Sequence, residues 1–282
     1  MKFLHEHVRY KDIILIVSNK LKIDPSLIEK DYWIMHCLWG LQHLRYDYYL
    51  KGGTSLSKGY KAIARFSEDL DIMITPPGEL GVKIGKNHDK EEHARSRKNY
   101  FDWLLSQIKI HGIESVEFDE SVVSDGKFRN AEIVLRYKSV LDSQLTKLKP
   151  GVLLEVGFDQ VEPYTEIDIS SWTYDFTRQA GVEVQDNRAL KVKCYNPEYT
   201  FVEKLQAIST KFRQQQDTGK MARNFLRHYY DVYMLLKRKD VQAFVGTSEY
   251  YKHKEKRFRA QDEKDLKKEK SFIQEDASAE IL

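Results

Sequence analysis

The spacing of apolar positions changes along this chain, and the change predicts an α/β half followed by a helical half. Residues 24–44 open with Asp24-Pro25-Ser26, a capping side chain followed by a proline suited to the first helical turn. In IEKDYWIMHCLWGLQHL the apolar residues then recur at helical spacing, which predicts a largely buried helix. Tyr48–Lys51 is a short strand-like run ending at Gly52-Gly53. The pattern predicts a helix over 56–63 and a strand over 70–75, stopped by Pro76-Pro77-Gly78. Polar residues 79–92 predict a loop, and 93–111 a helix with Tyr100, Trp103, Leu104 and Ile108 facing inward. Three strand-like runs follow at 115–123, 127–137 and 152–158, and the alternation over 132–136 suits a half-exposed strand. Helical spacing returns near Pro197, in TFVEKLQAISTKF and ARNFLRHYYDVYMLLKRK, joined by the polar QQQDTGK. From about residue 250 the chain is densely charged and poor in apolar residues, which predicts a solvated helix or disorder. The expected division is a mixed-sheet domain with N-terminal helices over 1–190 and a helical domain with a charged tail over 191–282.

Composition narrows the classes. At 282 residues the chain can bury a sizeable core. With 32% charged and 41% hydrophobic residues it reads as an ordinary soluble protein. A net charge of +3 does not identify a nucleic-acid binder, and it leaves room for a local basic groove. The cysteines, Cys37 and Cys194, lie far apart without metal-ligand spacing and fit a reducing compartment. None of the nine histidines is expected to bind metal. There is no apolar run long enough to span a membrane, and MKFLHEHVRYKD lacks a signal-peptide core. The expectation is a cytoplasmic protein without membrane partners.

The chemistry concentrates between residues 49 and 74. Asp69 and Asp71 stand two apart beside an apolar run. In an extended strand residues i and i+2 share a face, so both carboxylates project together, with Leu70, Ile72 and Ile74 on the other face. Like charges held that close repel, and a cation between them relieves the repulsion. Mg²⁺ prefers carboxylate oxygens and keeps positions open for substrate phosphates. Upstream, Gly52, Gly53, Thr54 and Ser55 form a turn that opens a helix. Glycines let the backbone approach closely, and N–H groups and a hydroxyl can donate to a phosphate. A phosphate turn beside a metal-binding acid pair points to phosphoryl or nucleotidyl transfer.

Glu155 is a further candidate, because a lone carboxylate inside Leu153-Leu154-Glu155-Val156 is costly unless paired or on metal. The plainer reading is an acid on the open face of a sheet. Asp159, Glu132 and Asp168 are the other choices. Lys58, one turn into the helix, would face either a triphosphate or solvent. Arg65 and Ser67 precede the acid pair and are placed to orient it.

Gly52-Gly53-Thr54-Ser55 followed by Arg65-Phe66-Ser67-Glu68-Asp69-Leu70-Asp71 resembles the G[ST]…DxD signature of the DNA polymerase β-like nucleotidyltransferases. The longer KGGTSLSKGY…RFSEDLDI resembles the AbiEii/AbiGii toxin family and the related MenT toxins. Glu29-Lys30-Asp31-Tyr32 upstream fits that branch, as do FVEKLQA from Phe201 and RHYYDVY from Arg227 downstream. The resemblance spans roughly residues 25–236. It implies a polymerase β-like domain and a helical domain. The implied activity is an Mg²⁺-dependent transfer of NMP from an NTP, with tRNA as a plausible acceptor. The implied setting is a toxin–antitoxin or phage-defence system with a cognate antitoxin.

The resemblance also assigns Lys204 and Asp231 to the active site. By residue type alone Lys204 reads as a lysine extending from an apolar helix face, and Asp231 as a helix acid or structural ion pair. Relatives carry an arginine beside the aspartate where this chain has Arg227-His228-Tyr229-Tyr230-Asp231, which leaves the register near His228 open. Lys30 and Asp31, a charged pair in an apolar helix, read as an ion pair to another element. Lys204, Lys211, Arg213, Lys220, Arg223 and Arg227 could meet an RNA backbone or form a solvated face. Two alternatives stand beside the leading one: transfer of NMP to a protein or small molecule, and a catalytically silent NTP- or RNA-binding protein.

Overall fold

Asp24 accepts a hydrogen bond from the Ser26 N–H at 2.8 Å and Pro25 occupies the first turn, so the second long helix starts where its capping chemistry places it. In this computed structural model the described residues are 1–44, 46–85, 87–119, 126–141, 148, 151–159, 161–222 and 224–264. Helix α1 is Tyr10–Leu21 and α2 is Pro25–His43. Ile28, Trp33, Ile34, Leu38 and Leu41 of α2 are all buried, and the helix packs on the central strands. Each such side chain contributes about 1.5–3 kcal/mol by leaving water.

Strand β1 (Tyr48–Lys51) runs into a single turn, α3 (Gly52–Thr54), continued as a wide turn over Ser55–Gly59. Strand β2 is Asp69–Ile74, α4 is Glu91–Gln107, β3 is Ile113–Phe118, β4 is Asn130–Tyr137 and β5 is Val152–Gly157. Strand β6 (Tyr164–Ile169), helix α5 (Trp172–Gln179) and strand β7 (Ala189–Tyr195) complete the first half. Among the described residues these strands form one seven-stranded mixed sheet in the order β3-β4-β5-β2-β1-β7-β6. Strand β2 lies antiparallel to β1 and parallel to β5, and β5 is antiparallel to β4. Leu50, Leu70, Ile72, Leu154, Val156 and Ile133 are fully buried, leaving the alternate residues to the other face.

The chain divides into two compact units. The first is Met1–Gly59 with Arg65–Cys194; the second is Tyr60–Ala64 with Tyr195 onward. The helix expected over 56–63 forms only over 56–59. Helical backbone begins at the glycines and stops at Gly59, where an added Cβ would lie 3.1 Å from Cys194 Sγ.

The second unit is built on α6 (Pro197–Thr218), with α7 (Leu226–Leu236), α8 (Lys239–Phe244) and α9 (Ser248–Arg257) packed against it. Its charged end is more ordered than composition predicts. Tyr250, His253 and Phe258 are buried, and the His253 ring meets the Tyr195 hydroxyl at 3.1 Å. Asp262 is buried as well, accepting from Thr210 Oγ1 at 2.7 Å and Arg213 Nη2 at 3.1 Å. The lysine and arginine stems of α9 supply packing that a count of apolar residues does not register. The expected tail beyond residue 264 lies outside the described residues.

Candidate active site

Four charged side chains line up across four adjacent strands. Lys51 on β1 is in register with Asp71 on β2, Asp71 with Glu155 on β5, and Glu155 with Glu132 on β4. Burial along β2 alternates, with Leu70, Ile72 and Ile74 inside and Asp69 and Asp71 half-exposed on the shared face, as the two-residue period requires. Paired residues on neighbouring strands project to the same side, so the row is one charged stripe.

The Gly turn closes on this stripe. Gly52 has φ of 68°, and an added Cβ would lie 2.5 Å from Asp71 Oδ2. At Gly53 the added atom would lie 2.4 Å from Ser67 Oγ and 3.2 Å from Arg65 Nη2. Gly52 needs glycine for its left-handed backbone, and at both positions the backbone sits directly against these side chains. Thr54 and Ser55 behave otherwise than the phosphate-turn reading expects. Both are buried, and the Thr54 hydroxyl donates to the Asp69 carbonyl at 2.6 Å, tying the turn to the acid strand. In this arrangement the face of the turn toward the acids consists of the Gly52–Gly53 backbone, with Ser67 and Arg65 against it.

Lys58 points away from solvent. Its Nζ lies 2.7 Å from Asp31 Oδ1 and 4.5 Å over the Trp172 ring. Asp31 also accepts from the Trp172 N–H at 2.8 Å, and burial raises its pKa despite the lysine. Lys30 donates to the Gly151 carbonyl, and Glu29 accepts from Ser139 and from the Val140 N–H. The Glu29-Lys30-Asp31 segment thus fastens the Gly turn, the approach to β5 and the start of α5 to one buried helix. The ion pair expected of Asp31 is present.

Glu155 is strongly affected by its surroundings. Its pKa is raised to about 7, first by burial and then by Asp71, Asp69 and Glu132. Lys51, absent from the sequence-based candidates, brings Nζ to 3.3 Å from Asp71 Oδ1 and 3.6 Å from Asp159 Oδ2. Asp168 does not join this group: it lies on edge strand β6 and accepts from the Lys191 N–H at 2.8 Å. The donor set fits a hard cation, because crowded carboxylate oxygens outnumber the positive charge facing them. Among the described residues, however, no three acid, histidine or cysteine side chains converge closely enough to hold a metal ion as they stand. Asp71 is turned to Lys51 instead.

In the second unit, Lys204 on α6 and Asp231 on α7 pair at 3.1 Å, and Asp231 is fully buried. His228, one turn before Asp231, is pushed down to about 3 by burial and by Lys204, Lys211 and Arg227. The structure therefore brings Asp69, Asp71, Glu155, Gly52, Gly53, Arg65 and Ser67 together in the first unit. It sets Lys204 against Asp231 in the second.

The glycine turn presses against a strand whose exposed face carries two acids, with a third in register beside them. A family model described as nucleotidyl transferase AbiEii toxin, type IV toxin–antitoxin system, matches residues 33–280, and the chain belongs to that family. Similar solved structures include JHP933 from Helicobacter pylori, 17% identical, covering 82% of this chain and 76% of that one, with a TM-score of 0.40. An antigenic nucleotidyltransferase-like protein from Paracoccidioides brasiliensis is 14% identical and covers 82% of this chain and 95% of that one, at 0.39. No curated protein matches the chain. No helix among the described residues is long and apolar enough to cross a membrane.

Proposed function

We propose that the protein transfers a nucleoside monophosphate from an NTP to an RNA acceptor, with tRNA the leading candidate, in an Mg²⁺-dependent reaction. The observation that carries this reading is the registered row Asp71–Glu155–Glu132 beside the Gly52–Gly53 turn. Asp69, Asp71 and Glu155 would hold Mg²⁺, which when bound supplies positive charge to the NTP phosphates. The turn offers backbone N–H groups where a phosphate would approach, and Arg65 adds a cation at its rim. In the second unit, Lys211 is lowered in pKa by burial and by the neighbouring Arg227 and Lys204. That clustered positive charge supports a polyanionic substrate. Lys204, paired with buried Asp231, is proposed as a catalytic residue of the second unit on the strength of the family resemblance. The setting is a toxin acting in the cytoplasm, balanced by a cognate antitoxin and serving defence against phage.

The test is incubation with each α-labelled NTP, Mg²⁺ and total tRNA, for wild type and Asp69→Ala. Label in RNA from the wild type alone supports the proposal. Label in protein or in a small molecule redirects the acceptor, and no label under any condition contradicts transfer.

A further inference from the structure

Asp71 meets different neighbours on its two sides. On one side is Glu155. On the other, Lys51 presents its Nζ at 3.3 Å from Asp71 Oδ1 and 3.6 Å from Asp159 Oδ2. The Lys51 side chain is only 14% exposed, whereas that of Asp159 is 51% exposed. The lysine is therefore confined inside the site, with a looser acid at its outer edge. Its backbone is fixed twice, by pairing with Asp71 across β1 and β2 and by running straight into Gly52. An ammonium this close to a carboxylate oxygen occupies a lone pair that a metal ion would use, and two cations sharing that oxygen repel.

We infer that Lys51 is a tethered counter-cation of the acid row, shared between Asp71 and Asp159, which gives up Asp71 when a divalent ion binds there and keeps Asp159 as its partner. The inference rests on reading Asp69 and Asp71 as metal ligands. The exchange is one of ion pairs, with no covalent bond formed and no proton transferred. Lys51 is a positioning residue in this scheme, acting through Asp71. The consequence is that the protein without nucleotide binds divalent ions more weakly than its acids alone would. Asp159 influences binding chiefly through Lys51.

The test is equilibrium binding of Mn²⁺ to the full chain without nucleotide, read from the electron paramagnetic resonance of free Mn²⁺. The proteins are wild type, Lys51→Met, Asp159→Asn, the double variant Lys51→Met/Asp159→Asn, and Asp71→Asn, each checked for folding by circular dichroism. Lys51→Met keeps the stem and removes the charge. It is expected to bind Mn²⁺ about tenfold tighter, the low end of the effect of one close opposite charge. The gain is expected to persist at about 0.5 M KCl, where long-range fields are screened within roughly 4 Å. Asp159→Asn is expected to weaken binding in the wild-type background and to change little in the Lys51→Met background.

Equal or weaker binding by Lys51→Met overturns the inference, as does a gain lost in salt or an Asp159→Asn effect of the same size in both backgrounds. If Lys51→Met does not fold, Asp159→Asn decides alone, since unchanged or tighter binding there contradicts the exchange. Binding lost in Asp71→Asn but unaffected by Lys51→Met overturns this inference and leaves the metal reading standing. No Mn²⁺ binding by any of the proteins, with or without NTP, overturns both.

Discussion

Asp71 and Glu155 face each other in register across parallel strands β2 and β5, and the pair places a carboxyl group raised to about 7 beside the acid strand. The folded protein therefore keeps the Glu155 proton between pH 4.5 and about 7, where an unfolded chain releases it. The native state binds more protons in that window, so this group's contribution to stability falls as pH rises through it. Glu155→Gln is expected to flatten the decline in EDTA, melting near the wild type at about pH 5 and a few degrees higher at about pH 8. Thermal unfolding against pH checks this, and parallel curves for the two proteins would contradict it.

Gly53 is expected to resist even alanine. The added Cβ would lie 2.4 Å from Ser67 Oγ, so Gly53→Ala should cost about 1–3 kcal/mol by overpacking. Because the clash is with one side chain, Ser67→Gly should restore part of the loss. Urea unfolding of the two single variants and the double measures the coupling, and strictly additive costs would show that the turn does not press on Ser67.

Asp262 anchors the charged end of the second unit. Asp262→Ala leaves the buried Thr210 hydroxyl and the Arg213 guanidinium short of an acceptor and should cost about 1–3 kcal/mol. A chain ending at residue 251 loses Asp262 together with His253 and Phe258 and should unfold at lower temperature still. Unchanged melting of the truncated chain would mean that these contacts contribute nothing to stability.

Much of the acid strand is legible in the amino-acid sequence. The alternation Asp69-Leu70-Asp71-Ile72 settles which residues share a face, and the single carboxylate inside the β5 run marks Glu155. Lys51 is not legible there, because its role comes from register across β1 and β2, and a lysine ending a strand looks like any surface lysine. The inward turn of Thr54 and Ser55 is hidden for the same reason: their burial depends on contacts distant in sequence. Helix α1 packs Ile13, Ile14, Leu15, Ile16 and Val17 into one unbroken run that shows no helical period. Strand β6 has a largely exposed pattern and little apolar contrast to detect. Composition understates helix α9, because buried lysine and histidine count as polar.

The acid pair itself is tested most directly by measuring NMP transfer and thermal unfolding together for wild type, Asp69→Ala and Asp71→Ala. Both variants are expected to lose transfer while melting within a few degrees of the wild type, since deleting one of several crowded carboxylates relieves repulsion in the ion-free protein and, in Asp71→Ala, Lys51 keeps Asp159 as a partner. A variant that folds normally and retains most of its transfer activity would contradict the assignment of catalysis to Asp69 and Asp71.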